Sequence, residues 1–369
     1  MSVASSLRKL RSKFDWPLAV GMLLIITLGL VNLYSASRGA APKGLFQQQL
    51  AWYAAGTIGF VVAAAIDYRY YERIAQFIYP ACLLMLIAVL VHASNVKGAR
   101  RWLSFGAFSI QPSEMAKLGT ILLLAKLTSL EQQDMRARGL WYFLLLLLIL
   151  LVPCGLIYLQ PDLGTAMLLF FVGSSILLFS PARIATKIQG YILIPVVVLL
   201  RVSLGLKSYQ KKRILTFIDP TTDPSGAAYH SLQSQYAIGS GRWLGKGFMK
   251  GTQNQLNFLP EHWTDFPFAV WAEEWGLVGG LVLLLCYLFL ILWSLGVSAT
   301  ARDRFGQMLA FGVAALIFWH TVINIGMVTG ALPVVGVTLP MFSYGGSSLL
   351  TVMISMGLLM NVSIRRYSY

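Results

Sequence analysis

Leu259-Pro-Glu-His-Trp-Thr-Asp-Phe-Pro-Phe-Ala-Val-Trp-Ala-Glu-Glu-Trp-Gly276 leads from a long polar segment straight into an apolar run that continues to about residue 294. A run of that kind is long enough to cross a bilayer, which takes ~20 apolar residues. Five ionisable side chains, Glu261, His262, Asp265, Glu273 and Glu274, crowd its start. Charge at the edge of a bilayer is costly, so such a cluster is a functional-site candidate.

The whole chain supports the membrane reading. Of 369 residues, 57% are hydrophobic and only 12% charged, against about 25% charged in soluble domains. Nine further apolar runs accompany the first, giving expected helices at about 16–35, 46–66, 72–92, 112–129, 140–159, 163–181, 184–203, 267–294, 305–330 and 345–364. The fold class is therefore all-α: one domain over residues 1–369, a bundle of about ten transmembrane helices with a long ordered loop at about 204–266. Lipid offers no partner to an unpaired amide, so spans this apolar must be helices. The first run is read as a retained span rather than a cleaved signal. Cys82, Cys154 and Cys286 sit in apolar runs without metal-ligand spacing, which predicts neither a disulfide nor a zinc site.

Net charge is +15, and its distribution orients the chain. Arg8, Lys9, Arg11, Lys13, Arg136, Arg138, Arg302, Arg304, Arg365 and Arg366 fall on one side of the ten-span scheme, which places both termini in the cytoplasm. The opposite side carries Lys97, Arg100, Arg101, Lys211, Lys212, Arg213 and other cations. Long loops cross regardless of charge. For the short loop at 93–111 that reason is weaker, and an anionic lipid head group, whose phosphate oxygens match arginine, stands beside it as an equal alternative. No soluble basic face exists, so nucleic-acid binding is excluded.

Four constellations could carry chemistry. Thr264 and Asp265 stand before Phe266-Pro267, where a helix cap is expected; the alternative is a carboxylate general base at the outer interface. Gln111-Pro-Ser-Glu-Met-Ala-Lys117 puts Glu114 and Lys117 at i,i+3, an internal ion pair or a device that positions a phosphate. Gln160-Pro-Asp-Leu-Gly-Thr165 places Asp162 at a helix start, as a cap. Last, Gly326 and Gly330 have the GxxxG spacing of close helix packing, and no Walker lysine follows the glycines of Ser343-Tyr-Gly-Gly-Ser347.

Taken in order with Lys97-Gly-Ala-Arg-Arg-Trp102, Ile218-Asp-Pro220, Gly251-Thr-Gln-Asn-Gln-Leu256 and Leu259-Pro-Glu261, these motifs resemble the SEDS family (shape, elongation, division and sporulation) along the whole chain. The Gly-Thr-Gln run is most similar to its elongation members. The resemblance implies a bacterial peptidoglycan glycosyltransferase of the cytoplasmic (inner) membrane, serving cell elongation and rod shape. Its substrate would be lipid II, polymerised at the outer face, and its partner a class B penicillin-binding protein transpeptidase. It implies Asp265 as the catalytic residue. Arg100, Arg101 and Lys117, with Lys211, Lys212 and Arg213, become substrate-binding candidates; Glu114 would orient Lys117. Asp162, Glu261, His262 and Thr264 take supporting roles. No cofactor is implied with certainty, and an assisting divalent cation, Mg or Mn, stays open. The competing readings are a lipid II flippase and a non-catalytic scaffold; no clear inverted repeat or interrupted pair of spans is visible in the sequence.

Overall fold

The computed structural model describes residues 14–38, 44–92, 101–105, 108–129, 139–191, 227–256, 258 and 262–366. In chain order it places α1 (Trp16–Ala36), α2 (Leu45–Ala65), α3 (Tyr68–His92), β1 (Leu103–Phe105), β2 (Phe108–Ile110), α4 (Pro112–Thr128), α5 (Gly139–Leu159) and α6 (Leu163–Phe179). They are followed by α7 (Ala227–Gly241), α8 (Thr252–Gln255), α9 (Pro267–Ala299), α10 (Arg304–Val328) and α11 (Gly346–Arg365). A further helical stretch covers 184–191. The strands form one antiparallel hairpin, with Leu103 opposite Ile110.

Six of these helices, α1, α3, α5, α9, α10 and α11, are long and apolar enough to cross a membrane. The chain is thus a mostly helical, multi-pass membrane protein. α4 has 17 residues and carries Glu114, Lys117 and Lys126, yet nearly all of it is buried. Its neighbours rather than lipid surround it, which is how charged side chains are accommodated at membrane depth. The apolar windows of α10 and α11 are 72% and 78% buried, against 28% for α3 and α9, so α4, α10 and α11 form the interior. Outward-facing Leu84, Val91, Leu148 and Leu285 give the outer helices their apolar surface. α11 packs along α2, α9 lies between α1 and α10, and α3 lies on α4.

Span eight departs from the single continuous helix expected. Gly276 inside α9 has φ 64° and ψ −163°, a conformation that glycine alone adopts readily. A break exposes backbone groups that must find partners, and the glycine-rich segment after α7 supplies them. Lys246 and Gly247 N–H donate to Glu273 and Glu274 O, both at 3.0 Å. Leu277 and Val278 N–H donate to Arg242 and Trp243 O at 2.8 and 3.1 Å. A Cβ on Gly245 would sit 2.1 Å from Glu274 O, so the approach requires a residue without one. The same close approach accounts for Gly241, where a Cβ would lie 2.0 Å from Ala272 O.

The GxxxG spacing serves another purpose than helix packing. Gly330, at φ 79°, follows the end of α10 and donates to Met327 O at 3.3 Å, while Leu332 N–H reaches Gly326 O at 2.9 Å. This is a glycine-terminated helix end, and the nearest atoms to a Cβ on Gly326 belong to Leu332. The three cysteines are free, two of them buried.

Candidate active site

The interior helices do not close on one another. Between α2, α4, α6, α10 and the ends of α9 and α11 lies a chamber of about 840 Å³. Arg101, Glu114, Lys117, Asp162, Thr264 and Asp265 all line it, although they come from positions 101 to 265 in the chain. Glu261, Arg100, Lys211, Lys212 and Arg213 lie outside the described residues.

Four helices begin at this chamber. α4 starts after Gln111, α6 after Asp162, α9 after Phe266 and α11 after Gly345, and residues of each of these first turns or the residues just before them line the wall. Every helix N-terminus carries roughly half a positive charge and unsatisfied N–H groups. Only Asp162 caps its helix through the side chain, accepting from Thr165 N–H at 3.3 Å; the other three cap positions make no side-chain cap bond. Among the described lining residues two cations, Arg101 and Lys117, face three carboxylates, Glu114, Asp162 and Asp265. The side chains alone therefore do not make the chamber positive. The converging helix ends tip it towards anions.

Thr264 and Asp265 were candidates for the cap of span eight. The cap position is Phe266 instead, with Pro267 in the first turn, and Asp265 stands one residue outside it. Its main chain is pinned by Asn324, fully buried on α10, whose Nδ2 donates to Asp265 O at 3.0 Å and Val337 O at 2.7 Å. The carboxylate lies against Gly336, where a Cβ would come within 3.3 Å of Oδ2. The segment between α10 and α11 thus packs over the residue, held also by Tyr344 N–H donating to Trp263 O at 2.9 Å.

Lys117 is 1% exposed and meets Glu114 Oε2 at 2.8 Å, the expected i,i+3 pair. It also meets His320 Nε2 at 3.0 Å. His320 lines the chamber from α10 and was not foreseen, because a lone histidine in an apolar run carries no motif. Arg101 spends its Nε on Gln160 O at 3.2 Å and an Nη on Pro161 O, with Asp162 Oδ1 3.9 Å away. Gln111 Nε2 donates to Asp162 Oδ2 at 3.1 Å. Asp162 is therefore both a cap and the hub that seats Arg101. His262 is buried and turned to Ala36 O at 3.3 Å; it anchors the end of α1 and does not line the chamber.

Trp52, Trp102 and Tyr344 add flat faces with polar edges to the wall. Trp52 occupies the space where a Cβ on Gly346 would sit, 2.2 Å away. Burial pushes the Tyr344 phenol up from its ordinary value, keeping it a neutral donor to Gln48 Oε1 at 3.0 Å. No group of three or more His, Cys, Asp or Glu side chains that could hold a metal occurs among the described residues. Glu114 is paired with Lys117, and Asp162 accepts from Gln111 and Thr165.

Fold and chamber together define a polytopic helical membrane protein with a polar, anion-suited site enclosed by its interior helices. The chain belongs to the FtsW/RodA/SpoVE cell cycle protein family, whose pattern it matches over residues 15–368. It is 39% identical over 350 residues to peptidoglycan glycosyltransferase MrdB of Escherichia coli (strain K12), covering 93% of each chain. It is 31% identical over 429 residues to peptidoglycan glycosyltransferase RodA of Treponema pallidum (strain Nichols), covering 96% of this chain and 98% of the relative. Among solved structures, a chain of a peptidoglycan synthase complex that coordinates polymerization and crosslinking is similar at TM-score 0.81 and 31% identity, covering 96% of this chain and 99% of that one. The rod shape determining protein RodA of Thermus thermophilus is similar at TM-score 0.69 and 29% identity, covering 96% and 98%.

Proposed function

We propose that the chain is a peptidoglycan glycosyltransferase that polymerises lipid II in this chamber, with Asp265 as general base. The observation that carries the reading is the presence of Asp265, Lys117 and Arg101 in one chamber, with Asp265 outside the cap position of α9. The relatives named above as peptidoglycan glycosyltransferases support the activity.

Chain growth joins the 4-hydroxyl of a GlcNAc to the anomeric carbon of a lipid-linked MurNAc. Asp265 takes the hydroxyl proton as that oxygen attacks. The bond to the pyrophosphate oxygen breaks, configuration inverts from α to β, and undecaprenyl pyrophosphate leaves with the bonding electrons. Its growing negative charge meets Lys117, Arg101 and the N–H groups at the starts of α4, α9 and α11, a preorganised electrostatic arrangement. Arg100, Lys211, Lys212 and Arg213 would add to it. Glu114 orients Lys117, while Thr264, Asp162 and His262 support the local backbone, a role Glu261 would share. No step is routed through a metal.

The four helix starts also bear on topology. The convergence of the starts of α4, α6, α9 and α11 on one chamber supports the reading in which they run in the same direction, as spans four, six, eight and ten of a single domain. That order needs one crossing between α6 and α9, the expected span at about 184–203, whose first part is the helix at 184–191. With both termini cytoplasmic, the chamber faces the outside of the inner membrane, where lipid II and a class B penicillin-binding protein would meet it. The neighbouring synthase complex supports a crosslinking partner.

The break in α9 is the one feature that favours a lipid transporter, since interrupted spans build transport sites. Transporters of that kind use a matched pair in two repeats, and α9 alone contains a non-helical residue among the described helices. Purified protein with its partner and labelled lipid II separates the readings. Glycan strands made by wild type and lost in Asp265→Asn are expected. Full polymerisation by the variant overturns the base assignment, and lipid II crossing vesicles without polymer favours transport.

A further inference from the structure

His320 is a chamber-lining group whose chemistry the proposed reaction leaves unused. It is 1% exposed, yet both ring nitrogens have partners. Nδ1 lies 2.9 Å from Thr338 O, and a carbonyl oxygen only accepts, so Nδ1 carries the proton. Nε2 faces Lys117 Nζ at 3.0 Å, and an ammonium only donates, so Nε2 presents its lone pair. The two contacts together fix one neutral tautomer; a protonated ring would point an N–H at a cation.

Lys117 has three N–H donors. Glu114 Oε2 lies 2.8 Å from Nζ as an ion pair, and His320 Nε2 lies 3.0 Å away as a hydrogen-bond acceptor. The ammonium is thus held between a carboxylate on α4 and a ring nitrogen on α10, and all three residues line the chamber. Through Thr338 O the same histidine contacts the segment whose Gly336 lies against the Asp265 carboxylate.

We propose that His320 is a positioning residue of the pyrophosphate subsite, using its Nε2 lone pair to aim the Lys117 ammonium at the phosphate of the lipid donor. The proposal rests on the reading of Lys117 as a phosphate ligand. A lysine held by Glu114 alone would pivot about one contact and fold against its own helix.

The test compares variants that keep or remove an acceptor at Nε2, using the full chain with its partner. His320→Gln can offer Oε1 to Lys117, His320→Asn is too short, and His320→Leu has no acceptor. A charge-assisted hydrogen bond supports a loss of about ten- to a hundredfold in kcat/KM for lipid II in the Leu and Asn variants, with the Gln variant near wild type. Inhibition by inorganic pyrophosphate should weaken in parallel, and a Lys117→Ala/His320→Leu double variant should be no worse than Lys117→Ala. Equal activity of Gln and Asn variants, or additive losses in the double variant, overturns the proposal. Should His320→Leu fail to fold, the Gln and Asn pair still decides. If Lys117→Ala itself keeps full kcat/KM and pyrophosphate inhibition, the phosphate reading of Lys117 fails instead, independently of His320.

Discussion

Lys246 Nζ lies 2.5 Å from Glu273 Oε1, joining the segment after α7 to a carboxylate that is completely buried in α9. Thr252 Oγ1 and Gln253 N–H complete the contact at 3.0 and 3.2 Å. The half-helix that begins just after Asp265 is thus fastened by a group outside the helix bundle. Removing the cation leaves a buried charge unpaired, which costs about 3 kcal/mol. Lys246→Met should therefore lower the melting temperature in detergent substantially. Glu273→Gln should cost less, because it removes the charge along with the partner.

The break at Gly276 is a matter of backbone space as much as of torsion. A Cβ there would lie 2.4 Å from Gly245 N and 2.6 Å from Trp243 O, at a φ of 64° that side chains disfavour. Strain and overpacking together predict that Gly276→Ala destabilises by about 3 kcal/mol, seen as loss of folded protein on size exclusion. Gly296, in the same helix, has nothing within 4 Å of a Cβ. Gly296→Ala should be neutral or stabilising by up to about 1 kcal/mol.

The contrast between these glycines shows what was legible. Apolar runs fixed nearly every helix to within a few residues, because length and hydropathy are all a bilayer asks of a span. The i,i+3 pair of Glu114 and Lys117 and the cap at Asp162 are local and could be read directly. The break in α9 could not, since Gly276 looks like any helix glycine until Gly245 and Trp243, some thirty residues earlier, are brought against it. His320 was hidden for the same reason: its partners, Lys117 and Thr338, are supplied by another helix and by the segment beyond its own. The role of Arg101 was half visible, as a cation of a short external loop but not as a ligand of backbone carbonyls.

Asp265 and Asp162 both precede helices that open on the chamber, and their variants should behave oppositely. Asp162 caps α6 and seats Gln111 and Arg101, so Asp162→Ala should lose about 1–2 kcal/mol of stability. Asp265 stands outside its helix cap. Asp265→Asn should leave the melting temperature close to wild type while reducing polymerisation by about a hundredfold or more, the contribution of a general base. Paired melting curves and glycan-strand assays check both.

Arg101 offers the sharpest separation of charge from geometry. Its guanidinium reaches Gln160 O and Pro161 O together, a forked contact that a lysine ammonium cannot reproduce. If charge alone mattered, Arg101→Lys would be silent. The geometry predicts instead that Arg101→Lys loses part of its stability and activity together, because the Gln160-Pro161-Asp162 turn and the start of α6 shift with it. Arg101→Ala should lose more of both, with the activity loss exceeding that of the lysine variant by the missing charge. Kinetics at saturating and limiting lipid II, run beside thermal melts, measure the two contributions. An Arg101→Lys protein with wild-type stability and activity would assign Arg101 to electrostatics alone and remove the turn from the account of the site.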